Sequence, residues 1–344
     1  MKKLFIVAMA LGMLASCAQD EVLDLNQEAI GFGKAFVDNS TRAIDPSYGQ
    51  NAVALEQFNV WGAVEGSNNG AETWVPVFAN DNVEGTVGSS QIWNCTTKTQ
   101  YWIPGADYVF SAVVNGGVDA NFTLVNGVPT QVVFTSDDQT DLLYATQTAT
   151  GAAVGSANDP VNFAFNHMLA KAVVTVSNTT DTELTENGNY VQSGYFYKIT
   201  NVKLLGASKK ETCTFATKLW TNTGTTKAAV EFGDITNAAQ NETTATAVNI
   251  EDKANKLTSH YERMIIPQTF ATLTIQFDLA LYMKNGNTEV LINNLPAQTK
   301  SATNVTLEAG NSYSFNLSVG VGQKIDFSVT SQPTWVGGGD VTVQ

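Results

Sequence analysis

The stretch VNFAFNHMLAKAVVTV, residues 161–176, decides the fold class of this chain. Val161, Phe163 and Phe165 alternate with small or polar residues, and the run Lys171–Val176 is rich in Val and Thr. Alternation of this kind is typical of a half-buried β-strand, and short runs of β-branched residues are typical of a buried one. The stretch therefore predicts two successive strands.

The rest of the chain repeats this pattern. Short runs rich in Val, Ile, Thr, Phe and Tyr are separated by clusters of Gly, Asn, Asp and Pro, which favour turns. No segment of the sequence combines a sustained helical period with capping residues. We therefore predict an all-β chain with little helix and with strands at the spacing of a sandwich. The predicted strands include Phe58–Val64, Tyr108–Val114, Gln131–Phe134, Lys171–Val176, Ile199–Leu205, Leu273–Leu281 and Glu289–Ile292.

The length of the chain predicts two domains. A chain of 344 residues is too long for one typical hydrophobic core. Residues 147–160, QTATGAAVGSANDP, are mostly small and polar, which indicates a linker or a long loop. We therefore place a first β-sandwich domain at 29–157 and a second at 158–344.

The first seventeen residues indicate export. Two lysines precede an apolar run from Leu4 to Ala15, which is shorter than the roughly 20 residues that a membrane-spanning helix needs. The following Leu14-Ala15-Ser16-Cys17 resembles the lipobox of bacterial lipoproteins. We therefore expect residues 1–16 to be a signal peptide, Cys17 to be lipidated, and residues 17–28 to form an acidic tether to the outer membrane. A plain secretory signal with an incidental cysteine is the alternative.

Charge and cysteine content narrow the classes of partner. The chain has 18 basic and 32 acidic residues, a net charge of −14, which disfavours binding to nucleic acid and to anionic lipid. Apart from Cys17, the chain contains Cys95 and Cys213. We expect these two to be free thiols, with a disulfide between them as the alternative.

Residues for catalysis or metal binding are scarce. The two histidines, His167 and His260, are far apart and match no metal-binding spacing. His167 is expected to be a hydrogen-bonded structural residue. Asp137-Asp138 with Asp141 favours a solvated turn over a weak calcium site, because the alternating oxygen ligands of a calcium loop are missing. We therefore predict no enzyme activity, no metal site and no cofactor.

The tryptophans leave a second function open. Trp61 lies within an alternating strand and is predicted to be buried. Trp74 and Trp93 border predicted loops, where exposed rings could form a platform for sugars. The alternative function is therefore that of a surface-exposed, glycan-binding outer-membrane lipoprotein.

The N-terminal strand is followed by a feature that suggests processing. Residues 29–37, AIGFGKAFV, place Ile30, Phe32 and Phe36 on one face of a predicted strand. A polar stretch containing Arg42 comes directly after it. An exposed arginine in a loop is where a trypsin-like protease cuts.

The C-terminal end combines predicted strands with a glycine-rich joint. Alternating apolar residues predict strands at 313–319 and at 325–329, and three glycines at 337–339 precede a last short apolar pattern. Such a tail is able to pair with something outside its own sheet. Its alternating residues are Ile325, Phe327, Val329, Val341 and Val343.

Together these motifs resemble the fimbrillin (type V pilin) family of lipoproteins from Gram-negative anaerobes. The resemblance is spread over most of the chain. It rests on the lipobox ending at Cys17, Ile30-Gly31-Phe32 followed by Thr41-Arg42-Ala43, Tyr101-Trp102-Ile103-Pro104-Gly105 leading into Tyr108-Val109-Phe110-Ser111-Ala112, Asp141-Leu142-Leu143-Tyr144-Ala145, Phe163-x-Phe165-x-His167-x-Leu169-Ala170-Lys171, and Ile265-Ile266-Pro267-Gln268.

The resemblance implies two transthyretin-like β-sandwich domains of Greek-key type and a pilus subunit assembled by strand exchange. A protease would cut between Arg42 and Ala43 and release the strand with Ile30, Phe32 and Phe36. The open groove would accept a donor strand from the next subunit, and the donor residues in this chain would be Ile325, Phe327, Val329, Val341 and Val343. An uncovered sheet edge is a template for another strand, and different donor and acceptor surfaces give a head-to-tail polymer.

We therefore expect a stalk, tip or anchor subunit of a fimbria on the cell surface. The expected partners are other pilin subunits, the outer membrane through the lipid anchor, and a host or bacterial surface receptor. Nucleic acid is not expected as a partner.

Overall fold

The structure is a computed structural model of the chain. It describes residues 28–33, 36–37, 57–68, 70–85, 93–115, 121–178, 185–186, 189–190, 195–221, 226–233, 257–258, 263–285, 288–319 and 325–332. Most of these residues lie in strands, and one 3₁₀ turn spans Phe215–Thr217. Within these ranges, none of the helical segments has the length and apolar character needed to cross a membrane.

The strands are numbered in chain order. The first half of the chain contains β1 (Phe36–Val37), β2 (Gln57–Asn68), β3 (Ala71–Glu84), β4 (Asn94–Cys95), β5 (Asp107–Val114), β6 (Asn121–Val125), β7 (Val128–Thr135), β8 (Leu143–Thr150), β9 (Ala164–His167) and β10 (Ala170–Asn178). The second half contains β11 (Thr185–Glu186), β12 (Asn189–Tyr190), β13 (Tyr195–Ser208), β14 (Lys210–Thr214), β15 (Leu219–Thr221), β16 (Lys227–Gly233), β17 (Leu257–Thr258), β18 (Arg263–Ile265), β19 (Gln268–Asn285), β20 (Thr288–Leu307), β21 (Ser312–Val319) and β22 (Ile325–Gln332).

The largest sheet, called the first sheet, has the strand order β1-β9-β8-β5-β2-β3-β4. Its central strand β5 buries both faces. Tyr108 and Phe110 face an aromatic core, called the first core, whereas Val113 faces a second core on the other side. A strand buried on both faces is nearly continuously apolar, which explains the sequence YVFSAVV at residues 108–114.

A four-stranded sheet with the order β15-β14-β7-β6 covers the second core, and we call it the composite sheet. Strand β7 pairs with β14, which lies about 80 residues later in the chain, with Val132 opposite Cys213 and Phe134 opposite Glu211. The buried indole of Trp220 in β15 contacts Phe134 and donates a hydrogen bond to the carbonyl oxygen of Met168 at 2.8 Å. The composite sheet therefore joins segments from both halves of the sequence.

The C-terminal part is a sandwich of two sheets around a third core. One sheet has the order β17-β10-β21-β22 with β18 also paired to β10, and the other has the order β16-β13-β19-β20. Strands β10 and β21 are parallel, with Val174 opposite Phe315. The buried side chains of this third core come from both sheets and include Val174, Leu204, Phe232, Ile275, Phe277, Phe315 and Leu317.

The predicted fold class is confirmed, because the described residues form several mostly antiparallel sheets packed face to face. All seven strands predicted by sequence pattern lie within observed strands. The turn at Asn126-Gly127 also agrees, with positive φ values of 53° and 78° that match a tight hairpin between β6 and β7.

The predicted linker at 147–160 connects two strands of one sheet. Residues 147–150 are the end of β8, and after residues 151–160 the chain returns to pair β9 with β8. Val161, Phe163 and Phe165 then pack into the first core. The division into domains at 157/158 stays a prediction, but the residues that follow it up to 167 belong structurally to the first sheet.

Replacing Trp220 by Phe is expected to lower the free energy of unfolding by about 1–3 kcal/mol, because the carbonyl group of Met168 loses its indole donor in a buried site. The half-buried Trp74 in β3 provides the matched control, Trp74→Phe, which should have a smaller effect. Denaturant unfolding of both variants measures the difference. Equal losses would contradict a specific role of this hydrogen bond in holding the composite sheet.

Candidate functional site

Residues 28–33, which we call the N-terminal segment, lie between two stretches that are distant in sequence. On one side the segment runs antiparallel to residues 93–102. The amide of Ile30 donates to the carbonyl of Gln100 at 2.7 Å. Phe32 and Trp93 exchange two backbone hydrogen bonds, each of 2.8 Å.

On its other side the N-terminal segment runs parallel to the stretch that begins at Val161. The amide of Gly33 donates to the carbonyl of Val161 at 2.8 Å, and the amide of Val161 donates to the carbonyl of Gly31 at 2.9 Å. Strand β1 then continues this parallel pairing along β9, with Phe36 opposite Ala164. The segment is therefore hydrogen-bonded along both edges, as an inner strand of a sheet is.

Phe32 lies at the centre of the first core with 0% of its surface exposed. Its ring centroid is 5.5–6.3 Å from those of four other phenylalanines, Phe58, Phe78, Phe110 and Phe163. Three of these contacts are edge-to-face and one is stacked, arrangements that are favourable for aromatic pairs. The side chain of Phe32 thus fills a space that four other rings line.

Two further contacts join the N-terminal segment to residues 158–162. A Cβ atom on Gly33 would lie 1.9 Å from Oδ1 of Asn162, so the residue after Phe32 must be glycine or Asn162 must move. The carboxylate of Glu28 accepts hydrogen bonds from the backbone and side-chain nitrogens of Asn158, and these lower the pKa of Glu28. Asn158 and Asn162 therefore contact the backbone of the N-terminal segment closely.

The sequence analysis identified Ile30 and Phe32, and both are buried in the first core. It did not identify Trp93, Gln100 or Val161 as the residues that pair with them. Residues 93–102 contain no alternating pattern that would have marked them. Only the alternation of apolar residues that begins at Val161 indicated a strand that could pair with the N-terminal segment.

Several predicted site residues lie outside the described residues. These are Cys17 with the signal peptide and tether up to residue 27, the cleavage residues Arg42 and Ala43, the donor residues Val341 and Val343, the glycines at 337–339, and His260. Phe36 lies in β1, but its side chain is also outside the description.

The first half of the predicted donor segment forms β22, an edge strand of the C-terminal sandwich. It pairs with β21 along its whole length, with Phe327 opposite Leu317 and Val329 opposite Phe315. Ile325 is buried, and Phe327 and Val329 pack against the third core. These residues complete their own sheet here, and the donor role of the segment stays a prediction.

The three aspartates at 137–141 each have a separate partner. Asp137 is exposed, as expected for a solvated turn, whereas the expectation is wrong for Asp141, which is buried. Asp137 accepts hydrogen bonds from the amides of Gln139 and Thr140, and Asp138 pairs with Lys209. Across the described part of the chain, no group of three or more His, Cys, Asp or Glu is placed to hold a metal ion.

The buried carboxyl group of Asp141 forms a hydrogen bond with the half-buried His167. Its Oδ2 lies 2.5 Å from Nδ1 of His167, so the prediction of a hydrogen-bonded structural histidine is confirmed. Burial raises the pKa of Asp141, and the contacts with His167 and Lys171 oppose this shift. The pair lies where the chain passes from the first sheet to the C-terminal sandwich.

The prediction that Trp93 forms part of an exposed sugar platform is wrong. Its side chain is 4% exposed and stacks on Phe58 in the first core, with ring centroids 6.1 Å apart. The two backbone hydrogen bonds with Phe32 hold Trp93 at the first core. Trp74 is half-buried in β3, and the two rings do not share a surface. Trp61 is buried in the second core, as predicted.

The two described cysteines are free thiols, as expected. Cys213 is buried in the second core, and burial raises its pKa to about 12. Cys95 is half-buried, with its sulfur 3.1 Å from Oγ1 of Thr97.

Replacing Phe32 by Ala in the uncleaved protein is expected to cost about 3–5 kcal/mol of stability, because a cavity would remain between four rings. The matched control is Phe122→Ala in the β6–β7 hairpin, where the ring is only half-buried and the loss should be clearly smaller. Denaturant unfolding measures both. If both variants lose the same amount, the N-terminal segment is not an integral part of the first core.

A thiol reagent at pH 8 is expected to modify Cys95 in the folded protein and Cys213 only after unfolding. Because the pKa of Cys213 is about 12 when folded and 9.0 otherwise, its thiol is neutral in both states below pH 9. Peptide mass spectrometry after labelling distinguishes the two sites, and Cys95→Ser is the control. Rapid labelling of Cys213 in the native state would contradict its burial.

The same difference in pKa makes the free energy of unfolding depend on pH. Above pH 9 the unfolded state alone gains a thiolate at Cys213, so the free energy of unfolding should fall between pH 9 and about 12.

The architecture is similar to that of a solved structure. A fimbrial protein from Bacteroides vulgatus ATCC 8482 has a similar fold, with a TM-score of 0.60 and 16% sequence identity over 89% of this chain and 99% of that one. A protein from Bacteroides ovatus ATCC 8483 described in connection with cell adhesion has a TM-score of 0.47 and 16% identity, covering 91% of this chain and 99% of that one. No curated protein matches the chain significantly.

The decisive comparison is with a protein-family model. The model described as fimbrillin-like matches residues 41–333, which is most of the 344-residue chain. This chain therefore belongs to the fimbrillin-like family.

Proposed function

We propose that this chain is a structural subunit of a surface pilus and that it polymerises by strand exchange after proteolysis at Arg42. Membership of the fimbrillin-like family and the fold shared with a fimbrial protein support a pilus or adhesin subunit at the cell surface. The same membership favours a structural role over an enzymatic one. The finer steps are proposed from the geometry of the N-terminal segment.

The observation that carries the proposal is the double pairing of the N-terminal segment. Its backbone is bonded to residues 93–102 on one side and to Val161 on the other, and Phe32 fills the first core. A cut after Arg42 would leave this strand held by non-covalent contacts alone. Its departure would uncover two open strand edges and an aromatic pocket at once.

Such a groove is suited to an extended strand from another subunit. Backbone hydrogen bonds to the two uncovered edges would supply affinity, and the pocket left by Phe32 would set the register. The groove and the donor strand belong to different parts of the molecule. Repeated addition therefore produces a head-to-tail filament.

We propose that the donor is the chain that follows β22, including Val341 and Val343. Strand β22 is anchored to β21 and to the third core, so it holds the donor at the edge of the C-terminal sandwich. The glycines at 337–339 would give the tail freedom to leave that edge. The alternating valines fit a strand that buries one face.

Export would place the subunit where assembly occurs. We propose that residues 1–16 are removed, that Cys17 is lipidated, and that the lipid holds the uncleaved protein at the outer membrane. Cleavage after Arg42 would then remove the anchor and open the groove in one step.

Replacing Arg42 by Ala is expected to block filament growth in cells while leaving a folded, lipid-anchored monomer. Ser40→Ala, a neighbouring change that spares the cleavage residue, is the matched control and should polymerise normally. Filaments are scored by electron microscopy and by SDS-resistant ladders, and the N-terminus of the mature subunit is determined by mass spectrometry. Normal filaments of an Arg42→Ala subunit that begins at Cys17 would refute the mechanism.

A peptide with the sequence of residues 28–37 should inhibit polymerisation of the cleaved subunit, because it refills the groove. The same peptide with Phe32→Ala should inhibit at least about 100-fold less effectively, in line with the loss expected for a truncated buried phenylalanine. Equal inhibition by the two peptides would show that the aromatic pocket does not receive the donor strand.

A further inference from the structure

The stretch 93–102, which we call the groove wall, pairs with the N-terminal segment at two separate places. At one place Trp93 exchanges backbone hydrogen bonds with Phe32, and at the other the carbonyl of Gln100 accepts from the segment. Between these places, residues 94–96 are bonded to strand β3 instead. The course of the chain through this bend therefore sets the distance between the two pairing places.

Strand β3 carries a bulge beside this bend. Asp81 lies opposite Val60 and Ala79 lies opposite Trp61, so Asn80 is an extra residue, with a φ value of 63°. The carboxylate of Asp81 accepts a hydrogen bond from the amide of Ala79 at 2.8 Å. Bulges redirect side chains and are common beside functional sites. Here the bulge brings Asp81 next to the groove wall.

Asp81 binds two side chains of the groove wall. Its Oδ1 accepts a hydrogen bond from Oγ1 of Thr97 at 2.7 Å, and its Oδ2 lies 2.9 Å from Nζ of Lys98. Burial raises the pKa of Asp81, but the hydrogen bonds that the carboxylate accepts outweigh this effect, so the pKa is lowered. The carboxylate is therefore charged at neutral pH, and its contacts with the groove wall are charge-assisted.

These contacts matter most when the groove is empty. While the N-terminal segment is in place, the groove wall is bonded on both sides, to the segment and to β3. After the segment has left, the buried indoles of Trp93 and Trp102 still anchor the two ends of the wall in the first core. The bend between them is then fixed by β3 and Asp81. A binding site that keeps its shape when empty loses less conformational entropy on binding, which raises its affinity.

We propose that Asp81 is a positioning residue of the groove, which holds the groove wall through Thr97 and Lys98 in the course that an incoming strand needs. The inference rests on the proposed function, because it concerns the same groove in its open state. Asp81 acts through the groove wall and not by contact with the incoming strand.

The test compares binding of a fluorescent peptide of residues 28–37 to the cleaved subunit and to its Thr97→Val/Lys98→Met variant. Both substitutions roughly preserve side-chain volume and remove the groups that Asp81 binds. The variant should bind the peptide about tenfold more weakly, because two charge-assisted hydrogen bonds are lost and the wall must become ordered on binding. Fluorescence anisotropy measures the dissociation constant.

Two further double variants are the controls. Thr274→Val/Lys203→Met removes the same groups from the C-terminal sandwich, where they form a hydrogen bond of 2.9 Å and an ion pair of 2.8 Å, and should bind the peptide like the wild type. Thr97→Ser/Lys98→Arg keeps both bonding groups and should also bind like the wild type. In the uncleaved protein, Thr97→Val/Lys98→Met should lower the denaturation midpoint no more than the control in the C-terminal sandwich does, because the N-terminal segment also holds the wall.

Hydrogen exchange gives an independent readout. In the cleaved subunit, the amides of residues 93–102 should exchange faster in the Thr97→Val/Lys98→Met variant than in the wild type, whereas in the uncleaved protein they should exchange equally. A wild-type cleaved subunit that does not bind the peptide would count against the proposed function, and exchange would still decide the role of Asp81. Equal peptide binding by the wild type and the variant, or equal exchange in the two cleaved proteins, would overturn the inference and leave the proposed function standing.

Discussion

The structure depends on the insertion of Phe32 among four other phenylalanine rings. The first sheet has a wide apolar face, and the strands that make it contribute Phe58, Phe78 and Phe110 to that face. Without a residue in the position of Phe32, these rings would border a void, and voids in protein cores cost free energy in proportion to their volume. The N-terminal segment is thus a structural part of the first core.

The buried side chains are divided among three cores. The third core lies within the C-terminal sandwich and shares no buried side chain with the first core. The composite sheet lies between them, because β7 from one side and β14 from the other are paired there over five residues. Loss of the N-terminal segment would therefore expose the first core locally, while the composite sheet and the C-terminal sandwich keep their own contacts.

Local pattern was sufficient to predict the strands, and it failed for contacts between distant parts of the chain. The alternation of Val161, Phe163 and Phe165 predicted a buried face, and the pairing of His167 followed from its apolar surroundings. The burial of Trp93 did not follow, because it results from a bridge to Phe32 some 60 residues earlier. In the same way, no local signal distinguishes β14 as a partner of β7, since cross-strand partners are selected by the tertiary packing of both faces.

The stretch that decides the fold also connects the two ends of the proposed assembly mechanism. Val161 forms a wall of the groove around the N-terminal segment, and β9 continues this wall to His167. Three residues later β10 begins, and β10 pairs with β21, which in turn pairs with β22.

The turn between β9 and β10 is held by buried polar contacts. The Asp141–His167 pair lies at its start, and the amide of Lys171 donates to the carbonyl of Asn311 at 3.0 Å. Buried hydrogen bonds of this kind disfavour arrangements that would leave one of the polar groups without a partner. The site of the N-terminal segment and strand β22 are therefore linked through a short path of paired strands. In the proposed mechanism, that path would hold the acceptor groove of one subunit in a defined orientation relative to its own donor, as a filament of regular repeat requires.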